Sequence, residues 1–172
     1  MNSINQLLFF RFIILSLSQF IIFNNFLIFG NTVNIYLIFI IVFPLNFNKS
    51  LAYIITFIYG FVIDFFSNSF GIITFSLLIS ILIKPYILKF AFGNFDVNKV
   101  RKTSEYISGT SLYQQISYLI LMFFIHQLIL NSVEVFSLQN FDVIFNKTLI
   151  SSIISIIFSY FLLLIFFRKN AW

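Results

Sequence analysis

The sequence predicts an all-α integral membrane protein with six transmembrane helices in a single domain, and three observations support this prediction. The 172-residue chain is 60% hydrophobic and only 9% charged, whereas a soluble domain carries roughly 25% charged residues. Its apolar residues form runs that approach the roughly 20 residues needed to cross a bilayer. Lys and Arg lie at the ends of these runs, a pattern typical of membrane anchoring and not of nucleic-acid binding.

The six apolar runs set the limits of the predicted spans. The second run is short and Pro44 closes it, so we expect it to be tilted, shielded by neighbouring helices or extended into the preceding loop. Pro85 is expected to kink or fray the end of the fourth span, and Thr110 and Ser111 are candidate N-caps of the fifth. The predicted spans cover about residues 7–23, 33–45, 51–66, 70–88, 112–130 and 149–167.

The Lys and Arg residues also predict the orientation of the helices. One set of alternate loops carries most of them, whereas the other set carries only Lys147. Because cytoplasmic loops are enriched in Lys and Arg, we expect both termini and the basic loop at about 90–110 to lie in the cytoplasm. The turn after the third span is then expected on the outside.

A ridge of small and polar residues predicts a tight helical hairpin of the third and fourth spans. Its members recur every four residues, close to one helical turn, so they share one face of the third helix. In lipid, such a face lets a neighbouring backbone approach closely. Serines in the sixth span predict a similar buried seam. The predicted packing or partner-contact surface comprises Ala52, Thr56, Gly60, Asp64, Ser67 and Gly71.

Asp64 is the most deeply placed acidic residue in these predicted spans. Three roles are open to it: a buried contact that fixes helix packing, a proton or cation site, or a carboxylate reached by water at the membrane interface. We favour the packing role, because no second acid or base lies on its ridge. If Asp64 only accepts hydrogen bonds, Asn should replace it, since Asn keeps one acceptor oxygen.

A second polar cluster is predicted near the outer end of the fifth span. If the helix continues past its apolar run, His126 and Glu134 share one face, and Gln127 lies beside it. A His–Glu pair can titrate near neutral pH, but the neighbouring amides favour a structural polar outer patch. With one His and no Cys in the chain, we expect no metal site, no cofactor and no catalytic residues.

Several segments together resemble the MreD family of rod shape-determining proteins. The most specific segment is GFVIDFFSNSFG at residues 60–71, which has the pattern G-x-x-x-D-x-x-S-x-x-x-G. Lys84-Pro85, and His126 followed by Glu134, resemble the branch of this family found in Bacteroidetes-type bacteria. The resemblance extends through nearly the whole chain.

This resemblance implies a non-catalytic scaffold or regulator of the cell-wall elongation complex in the bacterial inner membrane. It implies an MreC-like bitopic protein as partner and, through it, MreB, a SEDS glycosyltransferase and a class B penicillin-binding protein, all in contact with membrane lipid. It also implies a fold similar to the S-component of energy-coupling-factor transporters. The alternative function is therefore a solute-binding component of such an importer, with Asp64, His126, Gln127 and Glu134 lining an outward pocket.

Overall fold

The computed structural model confirms the all-α membrane fold class. Five of its helices are long and apolar enough to cross a membrane, within the residues that the structure describes. The described residues are 2–28, 30–45, 47–93, 110–136 and 141–166, with side chains from residue 6 to residue 163. Most of the predicted basic loop lies outside these ranges.

Six α-helices, one short 3-10 helix and a two-stranded antiparallel hairpin follow one another along the described chain. Helix α4 packs against both α3 and α5, and α5 also packs against α6. The helices are α1 (Asn2–Ile21), α2 (Leu37–Ile41), α3 (Lys49–Ser67), α4 (Ile72–Phe92), α5 (Leu112–Val135) and α6 (Phe141–Phe166); the 3-10 helix is Phe23–Asn25, and the strands are β1 (Leu27–Ile28) and β2 (Asn31–Thr32).

The second predicted span differs from the structure. Residues 33–45 do not form one long helix, because α2 has only five residues. Residues 33–43, which we call the buried segment, are each 5% exposed or less. This segment packs among the long helices and presents no face to lipid, which explains why its apolar run does not need a regular helix.

The buried segment nevertheless runs the length of the bundle. Helices α1 and α3 are parallel, because Asn24 at the end of α1 bonds to Ser67 at the end of α3 and Phe12 packs on Tyr59 farther back. Because α1 and α3 run in the same direction, the segment between them must cross back from the end of α1 to the start of α3. Within the described ranges, the chain therefore makes six passages through the bundle, five helical and one interrupted.

The limits of the other spans differ from the predictions by a few residues up to about two turns. Helix α4 continues through Pro85 to Phe92, so this proline does not end it. Helix α6 begins at Phe141, earlier than the predicted residue 149. At the start of α5, Ser111 accepts a hydrogen bond from the Gln114 backbone in a capping box, as the N-cap prediction requires.

The lipid-facing side of the bundle is apolar and aromatic. Phe9 and Phe65 are 67% and 72% exposed, as expected for side chains whose solvent is lipid. The serine seam predicted on the sixth span is buried: Ser152, Ser155 and Ser159 are 4% exposed or less. The serine seam therefore faces the interior of the bundle, whereas large apolar side chains face lipid.

Candidate functional site

The backbone N–H and C=O groups of the buried segment need hydrogen-bond partners inside the bundle. A backbone that leaves the helical conformation loses its internal hydrogen bonds, and in hydrocarbon no water replaces them. Each unpaired buried donor or acceptor costs roughly 1–3 kcal/mol. Local backbone bonds pair some of these groups, and side chains from all five long helices bind others.

Polar side chains of α1 and α6 bind the first part of the buried segment. Gln19 uses both ends of its amide: Nε2 donates to the Val33 carbonyl at 3.0 Å, and Oε1 accepts from the Ile35 backbone N–H at 3.0 Å. Between them, the Asn34 backbone N–H donates to Ser155 Oγ at 2.9 Å. Gln19 is only 2% exposed, so this amide replaces backbone pairing inside the bundle.

Two tyrosines from α3 and α5 bind carbonyls farther along. The Tyr59 hydroxyl donates to the Tyr36 carbonyl at 3.1 Å, and the Tyr118 hydroxyl donates to the Ile41 carbonyl at 3.3 Å. Both rings are fully buried. A buried tyrosine ordinarily needs such an acceptor, so each contact satisfies the tyrosine hydroxyl and adds a hydrogen bond to a carbonyl of the buried segment.

Two cationic side chains bind the last part of the segment. Lys84 Nζ, on α4, donates to the Ile40 carbonyl at 2.8 Å and the Phe43 carbonyl at 2.6 Å. Arg11 Nη1, on α1, lies 3.5 Å from the Val42 carbonyl. Lys84 is 2% exposed and Arg11 is 7% exposed. Arg11 lies four residues into the first predicted span, a position from which an arginine is expected to snorkel to the membrane surface. The structure places it instead against the buried segment.

Asp64 caps the first turn of α4 from the last turn of α3. Its Oδ1 accepts from Ser69 Oγ at 2.6 Å and from the Ile73 backbone N–H at 3.0 Å. Its Oδ2 accepts from the Thr74 backbone N–H at 2.8 Å and from the Thr74 hydroxyl. The carboxylate thus supplies the negative cap that a helix N-terminus favours, and it is 5% exposed.

This geometry changes the expectation for an asparagine at position 64. Both carboxylate oxygens accept hydrogen bonds from donors. Asparagine offers one acceptor oxygen and one donating NH₂, so its NH₂ would face an N–H group of α4. The substitution that the sequence suggests as neutral therefore loses part of the cap.

Gly60 marks the closest approach of α3 and α4. A Cβ built on Gly60 would lie 2.7 Å from the Thr74 Cα atom and 3.0 Å from its hydroxyl oxygen. Gly60 and Asp64 are one turn apart on α3, and both contact Thr74. The steric fit and the carboxylate cap therefore fix the same point of the hairpin.

The other residues of the predicted contact surface occupy different environments. Ala52 and Thr56 are buried, and Thr56 Oγ1 has no hydrogen-bond partner among the described residues. Ser67 bonds to Asn24 across the ends of α3 and α1. Gly71 is exposed, with a φ of 91° that favours glycine, at the N-cap of α4.

The structure does not bring the predicted polar outer patch together. His126 is fully buried, with Nδ1 3.1 Å from Ser80 Oγ and Nε2 3.1 Å from the Tyr36 hydroxyl. Gln127 is 1% exposed, and its Nε2 has no hydrogen-bond partner among the described residues. These two side chains belong to the core of the bundle and not to its surface.

Glu134 lies apart from His126, although both are on α5. Eight residues separate them, which is roughly 12 Å along a helix. Glu134 pairs with Lys147 of α6 at 2.8 Å, and the two side chains are 46% and 32% exposed. His126 and Glu134 therefore do not pair: Glu134 forms a Lys–Glu pair at the end of the bundle, and His126 contacts Ser80 and Tyr36 inside it.

A cavity of about 500 Å³, lined by both polar and apolar side chains, opens at the end of the bundle that carries the α3–α4 turn. Of the four residues predicted to line an outward pocket, only Glu134 lines it. Asn34 also lines it, is 5% exposed, and leaves its Nδ2 without a hydrogen-bond partner among the described residues. The other lining residues are Gln19, Asn24, Asn25, Thr32, Tyr36, Phe66, Ser67, Asn68, Ser69, Phe70, Ile72, Ile73 and Leu130.

Sequence reasoning missed the amides that shape this site. Gln19 and Asn34 lie in or beside long apolar runs, where an uncharged polar side chain stands out. Lys84 appears at the end of an apolar run, where a membrane anchor is the ordinary interpretation. Two features of the sequence could have indicated this site. Several predicted spans contain isolated polar residues, and one span is too short to cross the membrane as a helix.

Comparison with known proteins identified no relative of this chain. No family model, curated protein or solved structure matches the sequence. The described geometry and the resemblance noted above are therefore the two grounds on which a function can be proposed. What the structure establishes directly is an all-α, multi-pass arrangement of apolar helices around buried polar contacts.

Proposed function

We propose that this protein is a non-catalytic scaffold or regulator of the cell-wall elongation complex, as its resemblance to the MreD family implies. One observation carries the proposal. Each buried Asp, Lys, Arg or His side chain in the described ranges contacts another part of the bundle: Arg11, Asp64, Lys84 and His126. None of these four side chains lines the cavity described above, which supports a structural use of these groups over a solute or ion pathway.

The proposed setting is the bacterial inner membrane, with both termini and the basic loop in the cytoplasm. The turn end of the bundle then faces outward. The proposed partners are an MreC-like bitopic protein and, through it, MreB, a SEDS glycosyltransferase and a class B penicillin-binding protein. The buried polar contacts support this role because they fix the exposed apolar faces of α1 and α3, such as Phe9 and Phe61, on a stable frame.

Depletion of the protein with microscopy of the cells tests the proposed function. In a rod-shaped bacterium that carries this chain, we expect depleted cells to become round, because side-wall synthesis loses its scaffold. Re-expression of the wild-type chain should restore rods, and an unrelated six-span protein expressed to the same level should not. Cells that stay rod-shaped after complete depletion would contradict the scaffold function.

The cavity at the turn end of the bundle favours a second candidate function, a solute-binding component of an energy-coupling-factor type importer. A cavity of about 500 Å³ lies within the roughly 300–1,000 Å³ of small-molecule sites. Against this candidate, α1 carries no Ala-x-x-x-Ala sequence for docking a coupling subunit. The same depletion separates the two functions, since loss of an importer causes a nutritional requirement without rounding.

A further inference from the structure

The cavity at the turn end of the bundle contains an unsatisfied polar group. Asn34 is 95% buried, lines the cavity, and has no partner for Nδ2 among the described residues. Its own backbone N–H is already held by Ser155, so the backbone at this position is fixed beside the cavity. A buried donor left unpaired is destabilising, and a molecule in the cavity that accepts its hydrogen bond removes this cost.

The charges around the cavity exclude an anionic occupant. None of the described lining residues is Lys, Arg or His. The first turn of α4 would attract an anion, but the Asp64 carboxylate already occupies its N–H groups. Glu134 is paired with Lys147, so it does not demand a cation either. The occupant that fits is neutral.

The remaining lining groups favour a molecule with many hydroxyl groups. The amides of Asn25 and Asn68 and the hydroxyl of Thr32 line the cavity. Amide and hydroxyl groups both donate and accept hydrogen bonds, which matches the hydroxyl groups of a sugar. These are uncharged groups on short side chains, and they lie on three different elements of the chain.

An aromatic side chain adds an apolar face to the same cavity. Phe70 lines it, is 98% exposed, and has a φ of 50°. A bulky residue with positive φ is uncommon, and strain of this kind concentrates at functional sites. A flat ring beside hydrogen-bonding amides suits the two faces of a sugar ring, whose C–H groups are apolar and whose hydroxyls are polar.

We infer that this cavity binds a neutral, polyhydroxylated molecule of sugar type, either a free solute or the headgroup of a glycolipid. Asn34 donates to one hydroxyl from the bottom of the cavity, and Phe70 covers the apolar face of the ring at its edge. The inference does not depend on the scaffold function, because a scaffold and an importer component can both carry such a site.

Equilibrium dialysis of the full chain in phosphatidylcholine nanodiscs tests this inference. The probes are methyl β-glucoside, as a free sugar, and octyl β-glucoside, as a sugar linked to an alkyl chain, with empty nanodiscs as blanks. We expect saturable binding of at least one probe and no binding of inorganic phosphate. Binding of methyl β-glucoside identifies a free solute as ligand, and binding of octyl β-glucoside alone identifies a lipid headgroup.

Three variants connect the binding to the cavity. Asn34→Ala should weaken binding roughly tenfold, because it removes the buried donor. Phe70→Ala should also weaken binding, and its exposed position makes it safe for folding if Asn34→Ala does not fold. Ser159→Ala is the matched control, since Ser159 Oγ is also buried without a partner among the described residues but does not line the cavity.

Two results would overturn the inference. One is the absence of saturable binding of either glucoside to the wild-type chain across the millimolar range. The other is an equal loss of binding in Ser159→Ala and in the cavity variants. Neither result affects the depletion experiment, so failure of the ligand site and failure of the scaffold function remain distinguishable.

Discussion

Leucine in place of Gly60 is expected to separate α3 from α4 and to reduce the yield of folded protein severely. Even a Cβ atom at this position would lie 2.7 Å from the Thr74 Cα atom, and backbone cannot rotate aside as a side chain can. Overpacking of a core typically costs about 1–3 kcal/mol and occasionally more. We expect the upper end of this range or beyond, since movement of Thr74 also disturbs the Asp64 cap.

The measurement is the thermal midpoint and monodisperse fraction of the purified protein on size exclusion. Phe61→Leu is the matched control, because Phe61 is the next residue on α3 and is 60% exposed. Gly60→Ala should fall between the control and Gly60→Leu. A Gly60→Leu protein as stable and as abundant as Phe61→Leu would show that the two helices do not approach closely at this point.

Methionine in place of Lys84 is expected to release the end of the buried segment. Lys84 Nζ donates to the carbonyls of Ile40 and Phe43, and methionine keeps a similar length without a donor. The substitution removes two hydrogen bonds from a charged donor, each worth roughly 1.5–3 kcal/mol, although the Ile40 carbonyl keeps its bond from the Phe43 backbone N–H. Removal of a buried amine offsets part of this cost, so we expect a net loss of about 2–4 kcal/mol.

The same substitution at Lys89 is the matched control, since Lys89 lies on the same helix and is exposed. Thermal unfolding in one detergent, monitored by loss of the monomeric peak, compares the two variants with the wild-type protein. Lys89→Met should unfold within a few degrees of wild type, and Lys84→Met well below it. Equal midpoints for the two variants would mean that Lys84 does not hold the buried segment.

The hairpin of α3 and α4 could be predicted because the residues that form it are close together in the sequence. Gly60 and Asp64 lie one turn apart in a single apolar run, and helical spacing alone puts them on one face. The existence of five long helices follows in the same way from length and hydrophobicity. What the sequence does not show is that Asp64 uses both oxygens, because the turn geometry determines which donors it meets.

The interrupted second passage could not be predicted from periodicity. A short apolar run has the same hydrophobic pattern whether it forms a buried helix or a buried irregular segment. The decision depends on partners far away in sequence: Lys84 lies 44 residues from Ile40, and Ser155 lies 121 residues from Asn34. Only the tertiary arrangement shows that these side chains replace the helical hydrogen bonds.

The separate environments of His126 and Glu134 could not be predicted for a related reason. His126 and Glu134 lie on the same face of α5, but at different levels along the bundle. Two turns of α5 separate a fully buried imidazole from a carboxylate at the end of the bundle. The cavity is lined instead by Asn34 and by residues of the α3–α4 turn. These residues are far apart in the sequence, so helical spacing does not connect them.

Solid-state NMR of the uniformly ¹³C,¹⁵N-labelled chain in lipid tests the central claim most directly, namely that residues 33–43 form a buried, interrupted passage. We predict helical Cα and Cβ chemical shifts only at Leu37–Ile41 within this segment, and no cross-peaks from its amide protons to lipid acyl chains. The exposed face of α3, such as Phe57 and Phe61, should show those lipid cross-peaks. Continuous helical shifts over 33–45, with lipid cross-peaks every three or four residues, would contradict the claim.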